Sequence, residues 1–154
     1  MSNSIHIAEY DGVIREVLES GGEFRMYPHG TSMLPLIRQG MDSVVLEQLN
    51  RSPQKNDILF YQRMDGSYIL HRVWKVTEDG LVMIGDNQKV LEKGVTEDQV
   101  IGYVTRIYRN EKEINCDGFW YRKYLWLWQF MKIRKLVLPI FNRLLIIMKG
   151  EKIQ

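Results

Sequence analysis

Between Phe24 and Arg109 the chain is cut into short apolar runs by turn-forming residues, and this pattern restricts it to a β-rich architecture. Ser43 to Leu49, Asp57 to Arg63, Ser67 to Thr77, Leu81 to Ile84 and Val100 to Arg109 are rich in Val, Ile, Leu and Tyr. They are separated by Asn50 to Asn56 with Pro53, by Asp65-Gly66, by Glu78-Asp79-Gly80 and by Lys93-Gly94. Such runs between such punctuation predict strands. Met64-Asp65-Gly66-Ser67 has the makings of a hairpin turn. Asn110 to Lys112 predicts another, with Glu113 to Cys116 as its return. Short strands at this spacing predict a mainly β fold, either a coiled β-sheet or a small barrel.

Helical patterns flank this region. Ile7, Tyr10, Val13, Ile14, Val17 and Leu18 recur at helical spacing, and Gly21-Gly22 ends the run. At the other end, Phe119 to Met148 reads as a long helical tail that Pro139 should kink or interrupt. The chain therefore divides into a helix at residues 1–22, a β domain at 23–116 and a basic helical tail at 117–154.

At 154 residues the chain has room for one hydrophobic core. Its net charge of +2 says little about partners. The distribution of charge says more. From Trp120 to Lys152 the only acidic residue is Glu151, against Arg122, Lys123, Lys132, Arg134, Lys135, Arg143, Lys149 and Lys152. Among these cations stand Trp120, Tyr121, Tyr124, Trp126, Trp128, Phe130 and Phe141. Aromatic rings with cations suit a membrane surface, so the tail is expected to lie on one. Packing on the β core or docking on a partner are the other readings, and no nucleic-acid role is expected. Tyr124 to Met131 and Leu136 to Asn142 are the longest apolar stretches, well short of the roughly 18–20 residues a spanning helix needs. Cys116 is the sole cysteine, which excludes an internal disulfide and fits a reducing compartment. Met1 to Tyr10 has neither a basic region nor an apolar run, so no signal peptide is expected. The expected location is cytoplasmic, with peripheral attachment to a membrane through the tail.

Three elements carry possible chemistry. Gly30-Thr31-Ser32-Met33-Leu34-Pro35 places a serine in a turn after the strand Phe24 to Pro28 and before a turn or short helix starting near Pro35. His71 lies on a strand, where alternation groups it with Ile69, Val73 and Lys75. Gly85-Asp86-Asn87 follows the strand Leu81 to Ile84. A serine hydroxyl becomes a useful nucleophile only beside a base, and histidine titrates in the right range. A carboxylate can then fix the imidazole tautomer. Taken singly, each has an ordinary explanation: a turn serine, a core histidine, a Gly-Asp-Asn turn. His6 and His29 are weaker candidates, and Lys75 reads as a surface lysine.

Taken in order, Ser32-Met33-Leu34-Pro35, Asp57-Ile58-Leu59-Phe60, His71-Arg72-Val73 and Gly85-Asp86-Asn87 resemble the type I signal peptidases, in particular their histidine-using branch. The resemblance spans about Gly22 to Ile107. A more distant likeness is to the LexA-like self-cleaving peptidases. The resemblance implies a serine endopeptidase with Ser32 as nucleophile and His71 as general base, acting on a peptide or leader-peptide substrate with no metal or organic cofactor. It also implies an orienting carboxylate, either Asp86 or Glu92. Asp86 is favoured because its motif is intact, whereas Glu92 reads as an exposed loop residue. Gly30 stands where signal peptidases often carry a hydroxyl, so the oxyanion would rely on the Ser32 backbone N–H or the Thr31 hydroxyl, with Gly30, Thr31 and Met33 lining the oxyanion and substrate side. A membrane-associated β module that binds peptide without cleaving it, and a LexA-like self-cleaving regulator, are the alternatives.

Overall fold

The protein is described by a computed structural model covering residues 7–116 and 118–150. Its centre is an antiparallel sheet of eight strands: β1 (Phe24–Met26), β2 (Asp42–Glu47), β3 (Ile58–Gln62), β4 (Tyr68–Thr77), β5 (Gly80–Ile84), β6 (Glu92–Val95), β7 (Val100–Arg109) and β8 (Lys112–Glu113). The order is β1-β2-β7-β3-β4-β5-β6, with β8 paired to β7. Among the described residues β1 and β6 do not pair, so the sheet is open and the small-barrel expectation is not met. A helix α1 (Asp11–Glu19) precedes the sheet, and α2 (Phe119–Trp128) and α3 (Met131–Gly150) follow it.

Alternation along the strands fills both faces. Ile58, Phe60 and Leu70 join Ile14 and Leu18 of α1 in one cluster, together with Met33, Leu36 and Ile37 from the serine turn. Leu59, Tyr61, Val73, Leu81 and Met83 form a second cluster with Val95 of β6. Burying both faces explains why these strands read as near-continuous apolar runs.

Two of three local expectations are corrected. Lys93-Gly94 does not end a strand but lies inside β6, where Leu81↔Val95 and Met83↔Glu92 pairing carries the backbone. Near Pro35 the expected turn or short helix takes the form of turns over residues 32–36. The tail breaks at Gln129–Phe130 rather than at Pro139, which sits within α3. Side chains near the break fix it: Trp128 and Arg134 are both buried, and Arg134 Nε donates to the Trp128 carbonyl at 2.6 Å.

Candidate active site

The serine turn is shaped by Gly30, whose φ of +89° lies where an L side chain is strained. The conformation of the turn thus favours glycine at this position. Ser32 is half-buried and Thr31 exposed. Neither the Ser32 hydroxyl nor the Ser32 N–H makes a hydrogen bond among the described residues, so both are available to a ligand. A cavity of about 110 Å³ lies beside Ser32, lined also by Gly30, Met33, Ile69 and Leu70. Pro28, His29, Tyr68 and Leu70 join it to an apolar groove of about 460 Å³ along β1. His29 is exposed at this junction and His6 lies outside the described residues.

The Gly85-Asp86-Asn87 loop clamps the turn in place. Asn87 donates its backbone N–H to the Ser32 carbonyl at 2.7 Å, and its side-chain amide to the Thr31 carbonyl at 3.1 Å. The pairing Arg72↔Ile84 and Val73↔Met83, continued by one residue, sets Gly85 opposite His71. Opposed residues of an antiparallel pair point their Cβ atoms to the same face, about 4.5–5.5 Å apart. On Gly85 that direction is occupied by the Ser32 carbonyl oxygen, 2.6 Å from where a Cβ would stand. The Ser32 turn is therefore docked over the residue across from His71, although no hydrogen bond joins Ser32 and His71. Gly85→Ala should push the turn off the sheet at a cost of about 1–3 kcal/mol. Thermal melts check this, and an unchanged Tm would mean that the turn yields freely.

His71 is 3% exposed. Its Nδ1 lies 3.4 Å from the Tyr61 hydroxyl, which donates to Glu92 Oε2 at 2.8 Å. Since that proton is used on Glu92, the Tyr61 oxygen is free to accept from Nδ1–H, which leaves Nε2 with the lone pair. Nε2 makes no hydrogen bond among the described residues. Glu92 Oε2 is itself 3.8 Å from Nδ1, and both Glu92 oxygens accept from Arg63 at 2.7 Å. Burial pushes the imidazole from its ordinary 6.5 down to about 4, against the opposing pull of the Glu92 and Asp86 carboxylates. The Arg63 hydrogen bonds hold Glu92 below its ordinary range despite partial burial, so it is a carboxylate.

Of the two candidate carboxylates, it is Glu92 that approaches the imidazole. Glu92 is no exposed loop residue: it opens β6 and sits half-buried beside His71. Asp86 is fully buried and its oxygens accept from Arg72 Nε at 2.8 Å, Arg72 Nη2 at 2.7 Å and the Tyr124 hydroxyl at 2.8 Å. With those partners it neutralises Arg72 and makes no hydrogen bond to His71. The same loop anchors the C-terminal helices. Trp128 Nε1 donates to the Asp86 carbonyl at 2.7 Å, and Arg134 Nη1 to the Gly85 carbonyl at 3.1 Å. Tyr61 and Arg63 were missed from sequence, although alternation puts both on the face of Leu59, the residue that pairs with His71. Lys75 lies beyond an irregularity in the β4–β5 pairing and is exposed. No cluster of His, Cys, Asp and Glu among the described residues could hold a metal ion.

No family model matches the chain, and no match to it was found among curated proteins or among solved structures.

Proposed function

We propose that the protein is a serine endopeptidase of signal-peptidase-like type, its open coiled sheet a variant of the fold of that superfamily, and that it cleaves a leader or signal-like peptide. The observation that carries this reading is the docking of the Ser32 turn on Gly85, across from a buried neutral histidine. Ser32 Oγ attacks the scissile carbonyl while His71 Nε2 takes its proton and later returns it to the leaving amine. The imidazolium formed between these steps keeps Nδ1–H toward Tyr61 and the Glu92 carboxylate, which makes Glu92, through Tyr61, the orienting group. The unengaged N–H of Ser32 is the available oxyanion donor. Substrate would extend the edge strand β1 through Pro28 to Gly30. The small cavity at Ser32 favours a small residue next to the scissile bond.

A pH profile of kcat/KM on a soluble peptide with small residues at the cleavage site tests the reading. The base is active when neutral, so the acid limb should fall below pH 6.5, toward 4. A limb at or above 6.5, or absence of any cleavage, would overturn it. Stability should move with the same group. The unfolded imidazole takes its proton near 6.5 and the folded one only near 4, so the unfolded state holds more protons between those values. The contribution of neutral His71 is therefore complete above pH 6.5 and is lost as pH falls toward 4, about 3 kcal/mol in all. Denaturant melts across that window measure it.

A further inference from the structure

The C-terminal helices have two faces, and the sheet uses one. On α2, Tyr121, Tyr124 and Trp128 turn inward: the two tyrosines pack on the first core cluster and Trp128 is buried. At 3.6 residues per turn the opposite side carries Phe119, Lys123 and Trp126, and Trp120 in the first turn is also exposed. Trp120 is 77% exposed and Trp126 63%. On α3, Arg134 and Leu138 are buried, while Leu136, Ile140 and Leu144 form an exposed row at four-residue spacing. Phe130, exposed in the link, continues the surface from one helix to the other, its ring 5.1 Å from that of Trp126. Single exposed apolar side chains are ordinary, but a row across two helices with two tryptophans marks an interaction surface.

The charges choose its partner. Arg122, Lys123, Lys135 and Arg143 are exposed on the same helices, and Gly118 to Gly150 contains no Asp or Glu. Lys123 Nζ stands 4.7 Å from the Phe119 ring and 5.5 Å from that of Trp120, so cation and aromatics share one patch. A second copy of the chain would bring the same unbalanced cations against these, which disfavours self-association. Aromatic rings, aliphatics and cations with no acidic counterpart match the headgroup region of an anionic bilayer. Among the described residues no helix is long and apolar enough to cross a membrane. We propose that the outward face of α2 and α3 is a membrane-surface anchor that docks on anionic lipid with both helices lying in the interface. Because Trp128 and Arg134 tie these helices to Gly85 and Asp86, docking also sets the position of the Ser32 turn relative to the bilayer. That last consequence rests on the peptidase reading; the anchor itself does not.

Co-sedimentation of the full chain with vesicles tests the anchor. Vesicles of phosphatidylcholine mixed with phosphatidylglycerol should bind at least about tenfold more tightly than phosphatidylcholine alone, and added salt should weaken the binding. Trp120→Ser combined with Leu136→Ser should weaken it by about tenfold, with Tm and hydrolysis of a soluble peptide unchanged. No binding to the mixed vesicles at low salt, or binding indifferent to these substitutions, overturns the proposal. So does a dimer in size-exclusion chromatography that the same substitutions dissolve without any vesicle binding. Soluble-peptide hydrolysis is read separately, so loss of the anchor and loss of the peptidase reading are distinguishable.

Discussion

Ser32→Ala is expected to leave the fold intact and to lower peptide hydrolysis by about 10⁴-fold or more. The two halves of that result have separate causes. Among the described residues the Ser32 hydroxyl makes no hydrogen bond, and the turn is held through its backbone carbonyls: that of Ser32 receives the Asn87 N–H, and that of Thr31 receives the Asn87 side-chain amide. Alanine preserves both, so Tm should stay within about 0.5 kcal/mol equivalent of the wild type. The rate loses its nucleophile altogether, and what remains is positioning and the oxyanion donor. Parallel thermal melts and product analysis on one peptide read both quantities. If hydrolysis survives in a preparation free of contaminating peptidase, Ser32 is not the nucleophile and the peptidase reading fails.

Asp86→Ala and Glu92→Gln should fail in different ways. Asp86 is the buried counter-charge of Arg72, and Arg134 Nη2 lies 3.8 Å from it. Removing it strands buried guanidinium groups and frees the Tyr124 hydroxyl, a loss of about 3–5 kcal/mol. For a chain of this length that is a fall in Tm of roughly 10 °C or more. Helices α2 and α3 should loosen first, since Trp128 and Arg134 bond to the same loop. Glu92→Gln removes a half-exposed charge from Arg63 and weakens the acceptor for Tyr61. Its effect on Tm should be smaller, while kcat/KM should drop by about 10-fold or more as His71 loses its orienting charge. The opposite pattern, a stable but inactive Asp86 variant beside an unstable but active Glu92 variant, would return the orienting role to Asp86.

Much of the sheet was legible because strand patterning is local. The runs at Asp57 to Arg63, Ser67 to Thr77 and Val100 to Arg109 match β3, β4 and β7 within a residue or so. The strand β6 was not legible. Glu92-Lys93-Gly94-Val95 contains a glycine with φ of +77° and reads as a turn until β5 is placed beside it. The same gap misassigned Glu92, since a residue read as loop is read as solvated. The partner of Asp86 was not legible for a complementary reason: Arg72, adjacent to the histidine, takes the aspartate on the other side of the strand.

By itself the sequence determined the β-rich core, the helical ends, the candidate pair Ser32 and His71, and the basic aromatic character of the tail. Alternation, helical spacing and turn chemistry act over a few residues, and composition does not depend on folding at all. Only the tertiary structure decided that the Ser32 turn docks on Gly85, that Glu92 lies beside the imidazole while Asp86 pairs with Arg72, and that one face of the tail packs inward. Those outcomes depend on strand register and on contacts between distant residues, such as Tyr61 with Glu92, 31 positions apart, and Asp86 with Tyr124, 38 apart. A one-residue change in register would turn every side chain on a strand to its other face, and no local pattern records which register forms.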